Sequence, residues 1–180
     1  MLETSRLILR NWKVSDLPEF SKMNADMRVM EFFPEIYSQE QSDLLANNMR
    51  KSIDISGIGL FAVEVKNIAP FIGFIGLSTP RFDAHFTPCV EIGWRLSLPH
   101  WGNGYATEGA KAVLKYGFED LKLREIVSFT AAINTKSQSV MKKIGMTNNP
   151  DDNFYHPNKS MPEGHHLKYH VLYRKRCEER

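Results

Sequence analysis

The apolar residues between positions 89 and 133 change their period twice, and this double change restricts the chain to folds that set a packed helix between strands. Cys89 to Leu96 reads as a strand, and Pro99 stops it. Beyond it Ala106, Ala110, Val113, Leu114, Gly117, Phe118 and Leu121 fall on one helical stripe. Glu125 to Ile133 then returns to the pattern of a buried strand. A strand, a helix and a second strand in this order make a crossover that lays the two strands parallel.

The flanking segments add mainly antiparallel signals. Arg6 to Arg10 alternates as a strand, and Asp16-Leu-Pro-Glu19 offers a capping box ahead of Leu17, Phe20 and Met23. Ser38-Gln-Glu-Gln41 offers another, ahead of Leu44, Leu45, Met49 and Ile53, with Gly57 and Gly59 as stop signals. Leu60 to Lys66 and Phe71 to Ser78, separated by Asn67-Ile-Ala-Pro70, read as a hairpin. Thr135-Lys-Ser-Gln138 is a third capping box, opening a short helix with Val140, Met141 and Ile144 inward and Gly145 at its end. Residues 147 to 166 are polar and hold three prolines, a stretch too long for an inert loop, and His170 to Arg174 reads as a closing strand. The order predicts an α+β fold on a mixed, mostly antiparallel central sheet flanked by helices, with one domain over residues 1–176 and a charged tail over 177–180.

Composition removes several functions. With 23 Lys plus Arg against 21 Asp plus Glu, a net charge of +2 gives no footprint for a polyanion, which argues against nucleic acid as the main ligand. The most apolar stretch, Ile68 to Leu77, is broken by Pro70 and two glycines and is half of what a bilayer requires, so no membrane span is expected. Two cysteines, Cys89 and Cys177, exclude a disulfide framework, and with an N-terminus unlike a secretion signal they lead us to expect a reducing cytoplasm. His156, His165, His166 and His170 crowd the last quarter, but their spacing on loop and strand does not build a metal site.

The segment Trp101-Gly-Asn-Gly-Tyr-Ala-Thr107 joins the end of a strand to the start of the amphipathic helix. Its two glycines allow close backbone approach, and the N–H groups that open a helix carry partial positive charge suited to a pyrophosphate. Gly102 and Gly104 lack the third glycine of the dinucleotide fingerprint, and the segment lacks the Gly-Lys-Ser/Thr ending of a P-loop. A phosphate-bearing cofactor of another kind is the natural guest.

That segment resembles the cofactor loop of the GNAT superfamily of acyl-coenzyme A-dependent N-acyltransferases, Gln/Arg-x-x-Gly-x-Gly/Ala, with Trp101 departing from its first position. The Trp-Gly-x-Gly-Tyr-Ala form is similar to the RimJ/RimL-like subgroup, named for ribosomal-protein alanine acetyltransferases. Further matches are Thr4-Ser-Arg-Leu-Ile-Leu-Arg10 with Asp16, Glu91-Ile-Gly-Trp94, Asn134-Thr-Lys-Ser137, Lys143-Ile-Gly-Met146, Pro162-Glu-Gly-His165 and His170-Val-Leu-Tyr173. The resemblance implies a GNAT fold whose sheet splays between the strand ending at Leu96 and the strand ending near Asn134, with acetyl-coenzyme A (acetyl-CoA) in the gap. Diverging strands lose ladder partners, often beside a β-bulge, and can bond a pantetheine arm instead. Trp94, Arg95 and Leu96 would then supply main-chain contacts, Trp101, Gly102, Asn103, Gly104, Tyr105, Ala106 and Thr107 would form the pyrophosphate cradle, and Asn134 would bridge the gap or simply precede its helix.

Acetyl transfer to an amine requires a base and an acid. Glu91 approaches the cleft and can take the amine proton directly or through a water, or else be a solvated residue or one ion-paired with Arg95 on the same face. Ser137 can protonate the leaving thiolate as in some relatives, or be an ordinary first-turn serine; Tyr105 competes for that role if the loop turns it inward. Phe32, Phe33 and Tyr37 lie where relatives contact the acceptor, and core packing accounts for at least one of them. The resulting expectation is a direct ternary-complex N-acetyltransferase acting on a peptide or protein N-terminus, with a homodimer as a possible assembly. A small amine such as a polyamine, antibiotic or metabolite, or a noncatalytic acyl-CoA-sensing role, are the alternatives.

Overall fold

The computed structural model describes residues 1 to 177; the expected charged tail lies, beyond Cys177, outside the described residues. In chain order the elements are β1 (Leu2–Glu3), β2 (Leu7–Arg10), α1 (Leu17–Ala25), α2 (Gln39–Ser56), β3 (Leu60–Val65), β4 (Ala69–Ser78) and β5 (Glu91–Leu96). They continue through α3 (Tyr105–Glu119), β6 (Glu125–Ala131), α4 (Thr135–Lys143), β7 (Thr147–Asn148), β8 (Phe154–Tyr155) and β9 (Tyr169–Arg176). The strands form an open sheet in the order β1-β2-β3-β4-β5-β6-β9-β7, with β8 also on β9. Every pairing is antiparallel except β5 with β6, the two strands joined by the α3 crossover. No described helix is long and apolar enough to cross a membrane.

The two faces of the sheet bury different sets of side chains. Leu7, Leu9, Val63, Ile75, Ile92 and Ile126 meet Ala110, Val113 and Met141 from α3 and α4 on one face. On the other, Ala62, Phe71 and Phe74 meet Trp12, Phe20, Met23 and Met49 around α1 and α2. The alternation of β4 breaks at Gly73, so that Phe71 and Phe74 share one face while Ile72 and Ile75 share the other. Gly73 sits at φ +133°, where a Cβ would collide with the Arg95 carbonyl of β5. The expected bulge is thus on β4 between Ala69 and Gly73, where its register with β3 shifts between Val63 and Val65, rather than on a diverging strand.

Three local expectations are corrected. Asp16 makes no cap for α1; its carboxylate takes the Arg10 guanidinium at 2.8 and 2.9 Å and the Lys13 N–H at 2.8 Å, capping a short 3-10 turn that precedes the helix. The ion pair takes precedence over the local cap because a buried Arg10 left without a counter-charge would be strongly destabilising. Leu44 is 63% exposed, and Ser42, Ala46 and Met49 form the buried stripe of α2 instead. The N-cap of α4 is Asn134, one residue before the expected box, and β6 ends at Ala131 with Ile133 in solvent. The Ser38–Gln41 box forms as expected, with reciprocal bonds of 3.2 and 2.8 Å.

Candidate active site

The parallel pair β5–β6 opens like a V. Val127 N–H donates to Val90 O at 2.9 Å, Glu91 stands opposite Val127, and Ser128 Oγ donates to Ile92 O at 2.8 Å; past this point the register of the pair ends. On the β4 side Ser97 N–H donates to Ile72 O at 2.9 Å, and the ladder runs back from Gly73 opposite Leu96. Antiparallel alternation therefore turns the Arg95 peptide groups toward β4 and those of Trp94 and Leu96 toward the opening. The three residues are not equivalent. Arg95 has its backbone committed to β4, and Leu96 O accepts the Trp101 indole Nε1–H at 2.7 Å. Trp94 keeps both groups directed at the gap, and Leu96 keeps its N–H.

At the open end of the V, just past Leu96, lies the loop before α3. Gly102 and Gly104 sit at φ +78° and +79°, in the left-handed region, and a Cβ at Gly102 would meet nothing within 4 Å. The first helical bond runs from Glu108 N–H to Gly104 O, so the N–H groups of Tyr105, Ala106 and Thr107 have no intrahelical acceptor. Open space, two left-handed glycines and unpaired helix-start donors fit a pyrophosphate. Trp101 is a strut rather than a ligand-facing residue, since its indole ties the loop to β5 and carries Lys136 Nζ 4.7 Å over its ring. Tyr105 turns its ring into the core, beneath the Arg6 guanidinium at 4.8 Å.

Reading the sequence missed how this loop is anchored. Glu108 accepts from Thr4 Oγ1 at 2.6 Å, Ser5 Oγ at 3.0 Å, Arg6 N–H at 2.9 Å and Arg6 Nε at 2.6 Å. Arg6 Nη1 continues to the Asn103 carbonyl at 3.0 Å. Burial pushes the Glu108 carboxyl upward, but these donors outweigh it and hold it down to about 2. The signal lay in Thr4-Ser-Arg6, inside one matched motif, and in the glutamate just past another a hundred residues on, whose pairing no local pattern reveals.

Glu91 and Ser137 do not meet. Glu91 shares the sheet face of Val127, opposite α4, at the closed end of the V; its one described hydrogen bond comes from Ser78 Oγ at 3.2 Å. Burial pushes its carboxyl up to about 8, with the Ser78 bond offsetting a little. The Glu91–Arg95 ion pair does not form among the described residues. Ser137 sits in the first turn of α4, where Asn134 Oδ1 accepts its N–H at 3.1 Å and Asn134 Nδ2 donates to its Oγ at 3.2 Å. Asn134 Nδ2 also donates to Thr130 Oγ1 at 3.0 Å, so the asparagine is a committed helix cap. Accepting from Asn134 leaves the Ser137 O–H free to donate outward.

The face of the sheet away from α3 carries side chains drawn from distant segments. Arg95 is buried there, with Nη1 donating to Asn24 Oδ1 at 2.7 Å and its guanidinium 4.0 Å from the Phe33 ring and 5.6 Å from Tyr37. Phe32 packs instead with Ala131, Met161 and Leu167. Farther along, Phe82, Phe129 and Phe154 pack against His156 and His170, whose rings are 4.9 Å apart, and Phe86 packs on Phe129 and Phe154. Burial, then the neighbouring His156, presses His170 down to about 4. His165 and His166 stack on each other at 4.6 Å in the segment before β9. The polar stretch from 147 is therefore structured, with β7 and β8 both pairing with β9.

Residues 6–147 match the acetyltransferase (GNAT) domain family. The chain belongs to the GNAT acetyltransferases. This acetyltransferase is 30% identical over 146 residues to the uncharacterized N-acetyltransferase YnaD of Bacillus subtilis, covering 81% of each chain. Its structure is similar to a GNAT-family acetyltransferase from Bacillus anthracis, with a TM-score of 0.77 and 28% identity over 97% of both chains. It shares the fold of spermidine N-acetyltransferase from Vibrio cholerae, solved with CoA and spermine, at a TM-score of 0.70 and 21% identity over 95% of this chain and 94% of that one. As a family member the protein is an N-acetyltransferase acting on an amine, and acetyl-CoA is the family's acetyl donor.

Proposed function

We propose that this acetyltransferase, a RimJ/RimL-like member working as one domain through residue 176, acetylates the α-amine of a peptide or protein N-terminus. The observation that carries the choice of acceptor is the charge of the acceptor face. It presents a buried guanidinium, Arg95, and a carboxyl, Glu91, that burial holds toward its neutral form. A polyamine carries several positive charges and needs ionised carboxylates to receive them. An α-amine has an ordinary pKa of about 7.7 to 8.0 against about 10.4 for lysine, so it reaches its reactive neutral form with little help. Two cysteines with no role in such a reaction accord with work in a reducing cytoplasm, and a homodimer is compatible with it.

Acetyl-CoA supplies an activated thioester. The gap at Trp94 and Leu96 supports main-chain contacts to its amide-bearing arm, and the loop from Gly102 to Thr107 supports its pyrophosphate. In the transfer the acceptor N–C bond forms as the thioester C–S bond breaks; one proton leaves the amine and one reaches the sulfur. Glu91, with a carboxyl near the pKa of an α-amine, is suited to take the first proton, directly or through water. Ser137, with its O–H free, is suited to deliver the second. No nucleophilic cysteine intervenes: burial pushes the Cys89 thiol up to about 11, away from its reactive thiolate.

The test is a CoA-release screen over peptides with free N-termini, including those starting with Ala or Ser, beside N-blocked lysine peptides, polyamines and aminoglycosides. Turnover of free N-terminal peptides is expected. Activity confined to small amines overturns the acceptor; CoA binding without turnover of any amine points to a sensing module.

A further inference from the structure

Two arginines of this protein are equally buried, and they differ in what balances their charge. Arg10 and Arg95 are each 7% exposed. Arg10 is fully answered: Asp16 holds it bidentately, Glu64 lies 3.2 Å from Nε, and the Pro70 carbonyl accepts from Nη2 at 2.6 Å. Arg95 has no carboxylate partner among the described residues. Its Nη1 donates to the neutral Asn24, itself held by Ser42 Oγ at 3.1 Å, and its buried Nε has no hydrogen-bond partner. Phe33 and Phe74 stand within 4.0 and 5.4 Å of the guanidinium carbon, and Tyr37, its ring 5.6 Å away, offers its hydroxyl as a second neutral hydrogen-bond partner. A guanidinium withdrawn from water without a counter-charge is costly, and an unmet buried donor adds to the cost. Rings over its faces leave only the edge of the fork for a partner, and that edge matches a carboxylate.

The position of Arg95 says which carboxylate. It follows Trp94, whose peptide groups face the gap of the V, and its side chain projects to the same sheet face as Glu91. An amine that reaches the gap from that face passes Arg95. We propose that Arg95 is the specificity-determining residue of the acceptor site and pairs through its Nε edge with a carboxylate carried by the substrate close to the reacting amine. This rests on the α-amine reading above and narrows it to acceptors of one chemistry, an α-amine beside a carboxylate. Such a group has two sources, the α-carboxylate of a free amino acid or the side chain of an N-terminal Asp or Glu. Because Nε is buried here, the proposal requires the segment carrying Phe33 and Tyr37 to give way when that carboxylate enters.

Two matched pairs separate the sources. A free amino acid is compared with its amide, and a peptide starting with Asp with one starting with Asn, with kcat/KM expressed per neutral amine. Wild type is expected to favour the carboxylate member of one pair by about 10- to 100-fold. Arg95→Met is expected to erase that preference, and Arg95→Lys to retain part of it with kcat less affected than KM. Equal rates within both pairs for wild type, or an equal loss on both members in Arg95→Met, overturn the proposal. Calorimetric titration onto the CoA-loaded wild type of N-acetylalanine against N-acetylalanine amide, and of N-acetylaspartic acid α-amide against N-acetylasparagine amide, reads the same discrimination for each source without turnover. If no α-amine is a substrate, the function proposed above fails, and this titration still decides the role of Arg95: a carboxylate preference supports it and none overturns it. Should Arg95→Met not fold, the wild-type pairs and Arg95→Lys carry the test.

Discussion

The two sides of the splayed sheet are built by opposite means. The cofactor side is mostly backbone: peptide groups at Trp94 and Leu96, two left-handed glycines, and the first N–H groups of α3, all within fourteen residues of chain. The acceptor side is mostly side chains, drawn from α1, the segment after it, β4, β5, β6 and the region around β9. A site made of backbone depends on local conformation and tolerates exchange of its side chains. A site made of side chains can change its ligand by one substitution without disturbing the fold. Substitutions on the first side should therefore alter CoA affinity for every acceptor alike, and those on the second should alter turnover and acceptor choice.

The largest effect expected on the cofactor side is from Gly104→Val. At φ +79° a β-branched residue is strained, costing about 1–3 kcal/mol, and the loop relieves the strain by leaving its ligand-ready shape. Calorimetry on the folded variant should show CoA bound about 30-fold more weakly or worse, with the far-UV spectrum retained. Unchanged affinity would break the assignment of this loop as the cradle.

Next comes Glu91→Gln, which tests the acceptor side through pH. The folded-state carboxyl titrates near 8, above its ordinary value of 4.5, so the folded protein holds this proton more tightly than the unfolded chain does. Stability from this group is complete below about pH 4.5 and is lost as pH rises through 8. The glutamine variant lacks that loss, and its melting midpoint should exceed that of wild type at pH 9 by at least about 3 °C while matching it near pH 5. Turnover behaves conversely. Below pH 7 the wild-type carboxyl is protonated and offers no base, so the two rates should converge; above pH 8 wild type should lead by about 10-fold. A pH-independent gap would remove Glu91 from proton transfer.

An ordinary carboxylate would help most at acidic pH, and burial turns that dependence round for Glu91. Its environment is set by Ser78 and by the closed end of the V, contacts that no spacing announces. The fold class, the crossover from β5 through α3 to β6, and the glycine loop were legible because each rests on local period or local backbone demand. Asp16 and Thr135 were misread as caps for a related reason. A capping box is a four-residue pattern, and partners just outside it, Arg10 for one and the Asn134–Thr130 pair for the other, decided which residue took the role. Arg95 was legible as a strand residue at the gap, but that no carboxylate among the described residues answers it is a property of packing.

Glu108→Gln asks whether the cradle needs its long-range anchor. The variant places an amide NH2 where the Oε2 that received Arg6 Nε at 2.6 Å had been, so donor faces donor and Arg6 loses its hold on the Asn103 carbonyl. CoA affinity should fall about 3- to 10-fold and the melting midpoint by a few degrees, equally with every acceptor. A change confined to one acceptor would erase the separation between the two sides. In wild type the depressed Glu108 carboxyl adds stability at pH values above about 4.5, and this is lost as pH falls toward 2, which acid titration of the variant should show as a smaller loss.

Ser137→Ala should have the smallest effect, because the serine stands between the two sides and each replaces part of what it does. Its Oγ accepts from Asn134 Nδ2 at 3.2 Å, but that donor also serves Thr130, and the cap bond from Ser137 N–H to Asn134 Oδ1 uses only backbone on the serine's part. The helix should therefore keep its start, with a stability change within about 1 kcal/mol. A thiolate is a good leaving group, and water in the open gap can protonate it, so turnover should drop only about 3- to 10-fold while CoA affinity and the acceptor KM hold. Replacing the thioester with a donor whose leaving group needs no proton should abolish the difference between variant and wild type. A fall in CoA affinity equal to the fall in rate would instead place Ser137 with the cofactor cradle as a structural residue of α4.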